Sequence, residues 1–215
     1  MVRGRRDLKP DNVLLDASRT HAKLADFGMS RLVGRSAEGR LTGGCTTAWY
    51  RAPEIMLGDP AYGATLHAVD AWAAGCVLVE MANLSPAFAC DTEVECMLAV
   101  FRALGTPAPH LWPGADTLPH FNAALPRWPP QPASALLRTE AAGCPGLASL
   151  VDRLLVLHPP RRIHAAAALA SLQRISSNLP PAPAVAVDLH PQEEEEEEEE
   201  EARNAPLEAP PASLG

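Results

Sequence analysis

Hydrophobic and polar positions follow two different patterns along the chain. Near the beginning, short apolar runs at residues 13–15 and 22–25 flank a polar turn, a pattern that predicts a small β-hairpin. Farther on, apolar residues recur at helical spacing, which predicts helices at residues 67–82, 92–104, 147–157 and 165–174. The first of these is apolar on nearly every face, so we expect it to be buried.

Three long segments show neither of these patterns. Residues 28–53 are rich in Gly, Ser, Thr and Arg, the profile of a long functional loop. Residues 106–145 contain prolines throughout, which predicts an irregular but ordered connection. From residue 176 the chain is rich in Pro, Ala and Glu, a composition that cannot bury enough apolar surface to fold. We therefore expect a domain at 1–175 and a disordered tail at 176–215.

Charge is distributed unevenly between these two parts. The net charge of -8 arises because the tail holds 11 of the 26 acidic residues and one of the 18 basic ones, so the domain is nearly neutral. Composition therefore gives no reason to expect binding to nucleic acid or to a membrane surface. The longest apolar run, at residues 71–79, is too short to cross a bilayer, and we expect no membrane insertion.

The five cysteines form neither a CxxC pair nor a cluster with histidine at metal-ligand spacing. This pattern suggests neither a zinc site nor a disulfide framework. A reducing environment fits best, so we expect the protein in the cytoplasm or the nucleus.

Two acidic motifs bracket the predicted hairpin. RDLKPDN at residues 6–12 precedes it, and DFG at residues 26–28 follows its second strand. Either motif alone is more often a helix start or a turn. In this order and spacing, the pair resembles the catalytic loop and metal-binding motif of protein kinases.

This resemblance implies a role for each side chain in phosphoryl transfer. Asp7 would orient the substrate hydroxyl and accept its proton, and Lys9 would lie against the transferring phosphate. Asn12 and Asp26 would bind Mg²⁺ between the phosphates of ATP. A lysine two positions after the aspartate is typical of serine/threonine kinases, and Thr47 would contact Asp7 and Lys9.

A third motif, TTAWYRAPE at residues 46–54, resembles the end of a kinase activation segment. In the cyclin-dependent and mitogen-activated kinases, the arginine at position 51 helps to shape the site for a proline after the phosphorylated residue. Thr42 stands where this group often has an activating phosphothreonine, with Arg6 and Arg31 placed to hold the phosphate. The alternative, that Thr42 is an ordinary loop threonine without a regulatory role, has equal weight.

Two further motifs resemble structural elements of the same family. VDAWAAGC at residues 69–76 resembles the central helix, whose aspartate, here Asp70, would anchor the catalytic loop through hydrogen bonds. HPPRRI at residues 158–163 resembles the late motif in which an arginine, here Arg162, forms a buried ion pair with Glu54.

The insert FRALGTP at residues 101–107, followed by LWPG at 111–114, is similar to that of cyclin-dependent kinases and their close relatives. The resemblance implies an α+β, protein kinase-like fold: a mainly helical large lobe with a small hairpin at the catalytic loop. It also implies ATP and Mg²⁺ as cofactors, protein substrates, and a cyclin-like regulatory subunit as a partner.

The sequence departs from the family before the catalytic loop, because no GxGxxG motif and no phosphate-binding strand lysine precede it. We therefore expect the small lobe to be absent and the chain to be a fragment of a longer kinase. Two alternatives remain open at this point: a pseudokinase scaffold that binds no nucleotide, and a fragment without function.

Overall fold

The computed structural model describes residues 3–4, 7–18, 20–26, 31–32, 48–61, 65–138, 141, 143–144 and 146–178, with the backbone alone at 3–4 and 31–32. The strands described are β1 (Arg3–Gly4), β2 (Val13–Leu15), β3 (Ala22–Leu24) and β4 (Arg31–Leu32). The helices described are α1 (Pro53–Met56), α2 (Leu66–Asn83), α3 (Glu93–Leu104), α4 (Leu147–Leu154) and α5 (Ala165–Asn178). Short 3₁₀ turns lie at Pro10–Asn12, Ala48–Tyr50, Ala115–Thr117, Ala133–Leu136 and Pro159–Arg161.

The hairpin predicted from two apolar runs around a polar turn is confirmed, and so are the four helices predicted from helical periodicity. β2 pairs antiparallel with β3, with Val13 opposite Leu24 and Leu15 opposite Ala22. Helices α2 to α5 correspond to the four predicted helices, with small differences at their ends. Helix α5 continues to Asn178, past the domain boundary expected at residue 175.

Three elements, β1, β4 and α1, escaped prediction because they are too short to show a pattern. β1 pairs antiparallel with β4, with Arg3 opposite Leu32, and β4 lies inside what the sequence suggested was a long loop. Helix α1 spans a single turn at the other end of that predicted loop. Its first residue is Pro53, whose missing N–H costs nothing at this position.

The turn of the β2–β3 hairpin is organised by the carboxylate of Asp16. It accepts hydrogen bonds from the backbone N–H of Thr20 at 2.9 Å, the backbone N–H of His21 at 3.1 Å and the hydroxyl of Ser18 at 2.7 Å. These donors favour the ionised form, and the Ser18 hydroxyl is the largest influence. Together they lower the pKa of Asp16 from 3.8 to about 2.

We expect the hairpin turn to lose this stabilisation in acid. Because the folded-state pKa of Asp16 lies below its unfolded value, the contribution is complete above pH 3.8 and is lost as the pH falls towards about 2. An NMR titration of the Thr20 amide should show a midpoint near the lower value, and Asp16→Asn should remove the transition. A midpoint at 3.8 in the folded protein would contradict the expectation.

Helix α2 forms the centre of the core, as its apolar sequence predicted. Trp72 and Val79 are 0% exposed and Cys76 is 1% exposed. The helix approaches the end of α4 closely at Gly75, where an added Cβ would lie 2.7 Å from Cδ2 of Leu155. A larger residue at this position would force the two elements apart.

Helix α3 begins with a capping box. The hydroxyl of Thr92 accepts a hydrogen bond from the N–H of Glu95 at 3.2 Å, and the Glu95 carboxylate accepts one from the N–H of Thr92 at 3.1 Å. This start folds the chain back, so that the Cα atoms of Cys90 and Cys96 lie 5.5 Å apart and their sulfurs form a disulfide. The expectation of no disulfide from cysteine spacing was wrong here, because a capped helix start brings the two residues together.

The proline-rich connection after α3 is irregular and ordered where it is described. The Thr106 hydroxyl donates to the carbonyl of Pro126 at 2.7 Å and accepts from the N–H of Trp128 at 3.0 Å. Trp112 is 5% exposed in the core. Among the described residues, no helix combines the length and apolarity that a membrane span requires.

Candidate active site

The turn before the hairpin brings Asp7 and Asn12 together. Lys9 is extended, as the residue before a proline tends to be, and Pro10 begins a 3₁₀ turn that ends at Asn12. The Asn12 side-chain amide then donates to the backbone carbonyl of Asp7 at 2.8 Å and to its carboxylate at 3.1 Å. Asn12 is 7% exposed, so a buried amide fixes both the backbone and the carboxylate of Asp7.

Lys9 places a positive charge beside this carboxylate. Its Nζ lies 4.0 Å from Oδ2 of Asp7, and the Lys9 and Asp7 side chains are 18% and 17% exposed. The attraction across such a distance is modest, but the distance places the two charged groups side by side. The turn therefore presents the carboxylate of Asp7 and the ammonium group of Lys9 together.

Asp26 lies at the same end of the hairpin. The N–H of Ala25 donates to the backbone carbonyl of Asn12 at 2.9 Å, which continues the β2–β3 pairing by one step. Asp26 has φ of 55°, a left-handed conformation that costs a non-glycine residue about 1–3 kcal/mol. Such strain is concentrated at functional sites, where the surrounding structure maintains it.

Asn12 and Asp26 bring an amide oxygen and a carboxylate to this end of the hairpin. The side-chain nitrogen of Asn12 donates to Asp7, so the side-chain oxygen of Asn12 is the atom that could bind a cation. The Asp26 carboxylate follows one residue after the backbone bond to Asn12. Amide and carboxylate oxygens are the ligands that a hard cation prefers.

Three side chains attach the segment from Ala48 to Arg51 to α2, to α3 and to the chain just before α3. The Trp49 indole donates to the carbonyl of Cys90 at 2.7 Å, and the Tyr50 hydroxyl donates to the Glu80 carboxylate at 2.7 Å. Burial raises the pKa of Tyr50, and the Glu80 carboxylate raises it further. Arg51 forms an ion pair with Glu93, with Nη1 3.0 Å from Oε2.

Sequence reasoning did not find Glu80, Cys90 or Glu93 as partners of this segment. Each is separated from its partner by 30 residues or more. No local pattern marks such contacts, and a glutamate on a helix surface is an ordinary residue.

Glu54 and Arg162, predicted to pair, form a two-pronged ion pair in the core. Both guanidinium–carboxylate hydrogen bonds measure 2.6 Å, and both side chains are 0% exposed. Three more guanidinium hydrogens bind the carbonyls of Val156 at 2.6 Å, Ala68 at 2.9 Å and Leu157 at 3.0 Å. All five donors of Arg162 are thus satisfied.

The structure gives less detail for the other residues predicted to form the site. Asp70 is half-buried near the start of α2, and its proposed hold on the catalytic loop stays a prediction. The backbone of Arg31 lies in β4. Arg6, Thr42 and Thr47 lie outside the described residues.

Comparison with known families agrees with this arrangement. A family model for the protein kinase domain matches residues 5–172. The match covers most of the chain and includes Asp7, Asn12 and Asp26 as well as the Glu54–Arg162 pair.

Proposed function

Because the chain belongs to the protein kinase domain family, which phosphorylates proteins, we propose that it transfers the terminal phosphate of ATP to serine or threonine hydroxyls. We assign it to the cyclin-dependent kinase-like type, with a preference for hydroxyls followed by proline. One observation carries the proposal: the buried Asn12 amide holds the Asp7 carboxylate next to Lys9.

Asp7 is the group that would receive the substrate hydroxyl. Its carboxylate is fixed by Asn12 and remains partly exposed, so a serine or threonine hydroxyl can donate to it. The carboxylate then orients the hydroxyl oxygen towards the phosphate and accepts its proton as the new bond forms. Lys9 balances negative charge on the transferring phosphate from the same side.

Asn12 and Asp26 would hold Mg²⁺, which the family generally uses with ATP. When bound, the cation neutralises charge on the nucleotide phosphates. The contribution of this chain is to fix the two oxygen ligands, through the hydrogen bonds of Asn12 and the left-handed backbone of Asp26. Thr47 would complete the set by contacting Asp7 and Lys9.

The preference for proline rests on Arg51. The ion pair with Glu93 holds its guanidinium at the end of the segment that resembles the kinase activation segment. The insert at residues 101–114 supports the same kinase group. In that group, the corresponding arginine shapes the site next to the phosphorylated residue.

The same resemblance extends to organisation and regulation. We propose that the domain expected at 1–175, which α5 extends to Asn178, forms the large lobe of the kinase, and that the rest of the segment expected at 176–215 forms a disordered tail. Phosphorylation of Thr42, held by Arg6 and Arg31, would activate the protein, and a cyclin-like subunit would bind it. The cytoplasm or the nucleus is the proposed location.

A pair of peptides tests both the reaction and the preference. With ATP and Mg²⁺, a peptide with Ser-Pro should be phosphorylated with kcat/KM about tenfold or more above the matched Ser-Ala peptide. The measurement is incorporation of labelled phosphate, with mass spectrometry to locate it. Equal rates would contradict the preference for proline. Failure both to bind ATP and to phosphorylate either peptide would contradict the proposed reaction and favour a scaffold.

A further inference from the structure

The disulfide between Cys90 and Cys96 closes a short loop at the start of α3. Cys96 is 1% exposed in the core, whereas Cys90 is half-buried. A cavity of about 470 Å³ lies beside Cys90 and is also lined by Trp49, Asp91 and Arg102. Cys90 is therefore the more exposed residue of the pair, and Cys96 is shielded from reagents in solution.

The structure accommodates the reduced pair as well as the bonded one. The backbone carbonyl of Phe88 lies 3.2 Å from the sulfur of Cys90 and 3.9 Å from that of Cys96. Two thiols at these positions would find an acceptor for an S–H group without a change of fold. The capping box of Thr92 and Glu95 also maintains the helix start independently of the sulfur–sulfur bond.

This loop carries two of the attachments of the segment Ala48–Arg51. The carbonyl of Cys90 accepts the hydrogen bond from the Trp49 indole at 2.7 Å. Glu93, between the two cysteines, forms the ion pair with Arg51 at 3.0 Å. Any change in the order of the loop therefore reaches Trp49 and Arg51 through direct contacts.

We propose that Cys90 and Cys96 are a reversible redox modification site and that the disulfide holds the segment Ala48–Arg51 in place. The oxidant is a low-molecular-weight disulfide such as glutathione disulfide. The Cys90 thiolate attacks one of its sulfurs and releases one glutathione thiolate. The Cys96 thiolate then attacks the Cys90 sulfur and releases the second. Two protein thiols are oxidised while one glutathione disulfide is reduced to two glutathione molecules.

Reduction reverses these two steps with excess glutathione. In the reduced protein, Cys90 is no longer linked covalently to Cys96 in α3, so the hydrogen bond from the Trp49 indole to the Cys90 carbonyl opens more often. That this segment binds substrate rests on the proposed function. The redox chemistry and the change in order of the segment do not depend on it.

The test is a titration of the full chain in buffers of varied glutathione to glutathione disulfide ratio. Differential alkylation and mass spectrometry report the state of Cys90 and Cys96, and hydrogen exchange reports the peptide that contains Trp49 and Arg51. We expect both cysteines to convert together, and amide exchange of that peptide to rise about threefold or more on reduction. Neither readout requires phosphoryl transfer, so a chain that fails to phosphorylate peptides can still confirm the inference.

Two variants serve as controls. Cys90→Ser removes the sulfur of the more exposed cysteine and should exchange like the reduced wild type in every buffer. Cys144→Ser, which removes a half-buried thiol outside this loop, should behave as the wild type. The inference is overturned if the pair keeps one redox state at all glutathione ratios, or if its reduction leaves exchange of the Trp49 and Arg51 peptide unchanged.

Discussion

Replacing Asp7 by asparagine is expected to lower kcat for peptide phosphorylation by about 10²–10⁴-fold, the range over which a positioned general base contributes. The amide is nearly the same size and keeps an oxygen to accept the 3.1 Å hydrogen bond from Asn12. It cannot accept the proton of a substrate hydroxyl at neutral pH. The fold and ATP affinity should therefore persist while the rate falls, as steady-state kinetics and a nucleotide-binding titration can show.

Asp11→Asn is the matched control for this variant. Asp11 lies in the same 3₁₀ turn as Asn12, carries the same carboxylate and is exposed. We expect its substitution to leave kcat almost unchanged. If Asp7→Asn and Asp11→Asn lower kcat equally, the rate depends on the charge of the turn, and the assignment of Asp7 as the base is wrong.

Replacing Glu54 by glutamine is expected to destabilise the protein by about 3–5 kcal/mol, because it leaves the Arg162 guanidinium without its counter-ion in the core. One of the two bonds at 2.6 Å would also become a contact between an N–H of the amide and an N–H of the guanidinium. Urea unfolding followed by circular dichroism measures the change as a lower midpoint. If the free energy of unfolding falls by less than about 1 kcal/mol, water or a movement of Arg162 must solvate the charge that has lost its partner.

Glu93→Gln provides a comparison with an exposed ion pair. Glu93 contacts Arg51 at a similar distance, but its side chain is 46% exposed. We expect its loss to cost at most about 1 kcal/mol, since water solvates both charges. The double variant Glu54→Met with Arg162→Met should recover only part of the loss, because three backbone carbonyls would still lack the hydrogens of Arg162.

Elements marked by a helical period, or by a polar turn between two apolar runs, were predictable from the sequence. Helix α2 has apolar residues on nearly every face, and burial of a helix follows directly from such a composition. The β2–β3 hairpin was marked by a polar turn whose aspartate can accept hydrogen bonds from the following amides. Helix α1 and the β1–β4 pair were not predictable, because one turn or two residues cannot display a period.

The main residues of the candidate site could also be identified from the local sequence. Asp7, Lys9 and Asn12 lie within six residues, and Pro10 determines the turn that brings the first and the last together. Arg162 could be identified from its motif, but its five acceptors could not. They come from Glu54, from the start of α2 and from the chain after α4, which meet only in the folded core.

The sequence by itself determined the helices, the hairpin and the acidic turn, because their causes act between residues a few positions apart. Only the tertiary structure decided which groups meet across the chain: Glu93 with Arg51, the Cys90 carbonyl with Trp49, and Cys96 with Cys90. The physical reason is that such pairs depend on how buried surfaces pack. That packing is set by many side chains at once and by no single spacing along the chain.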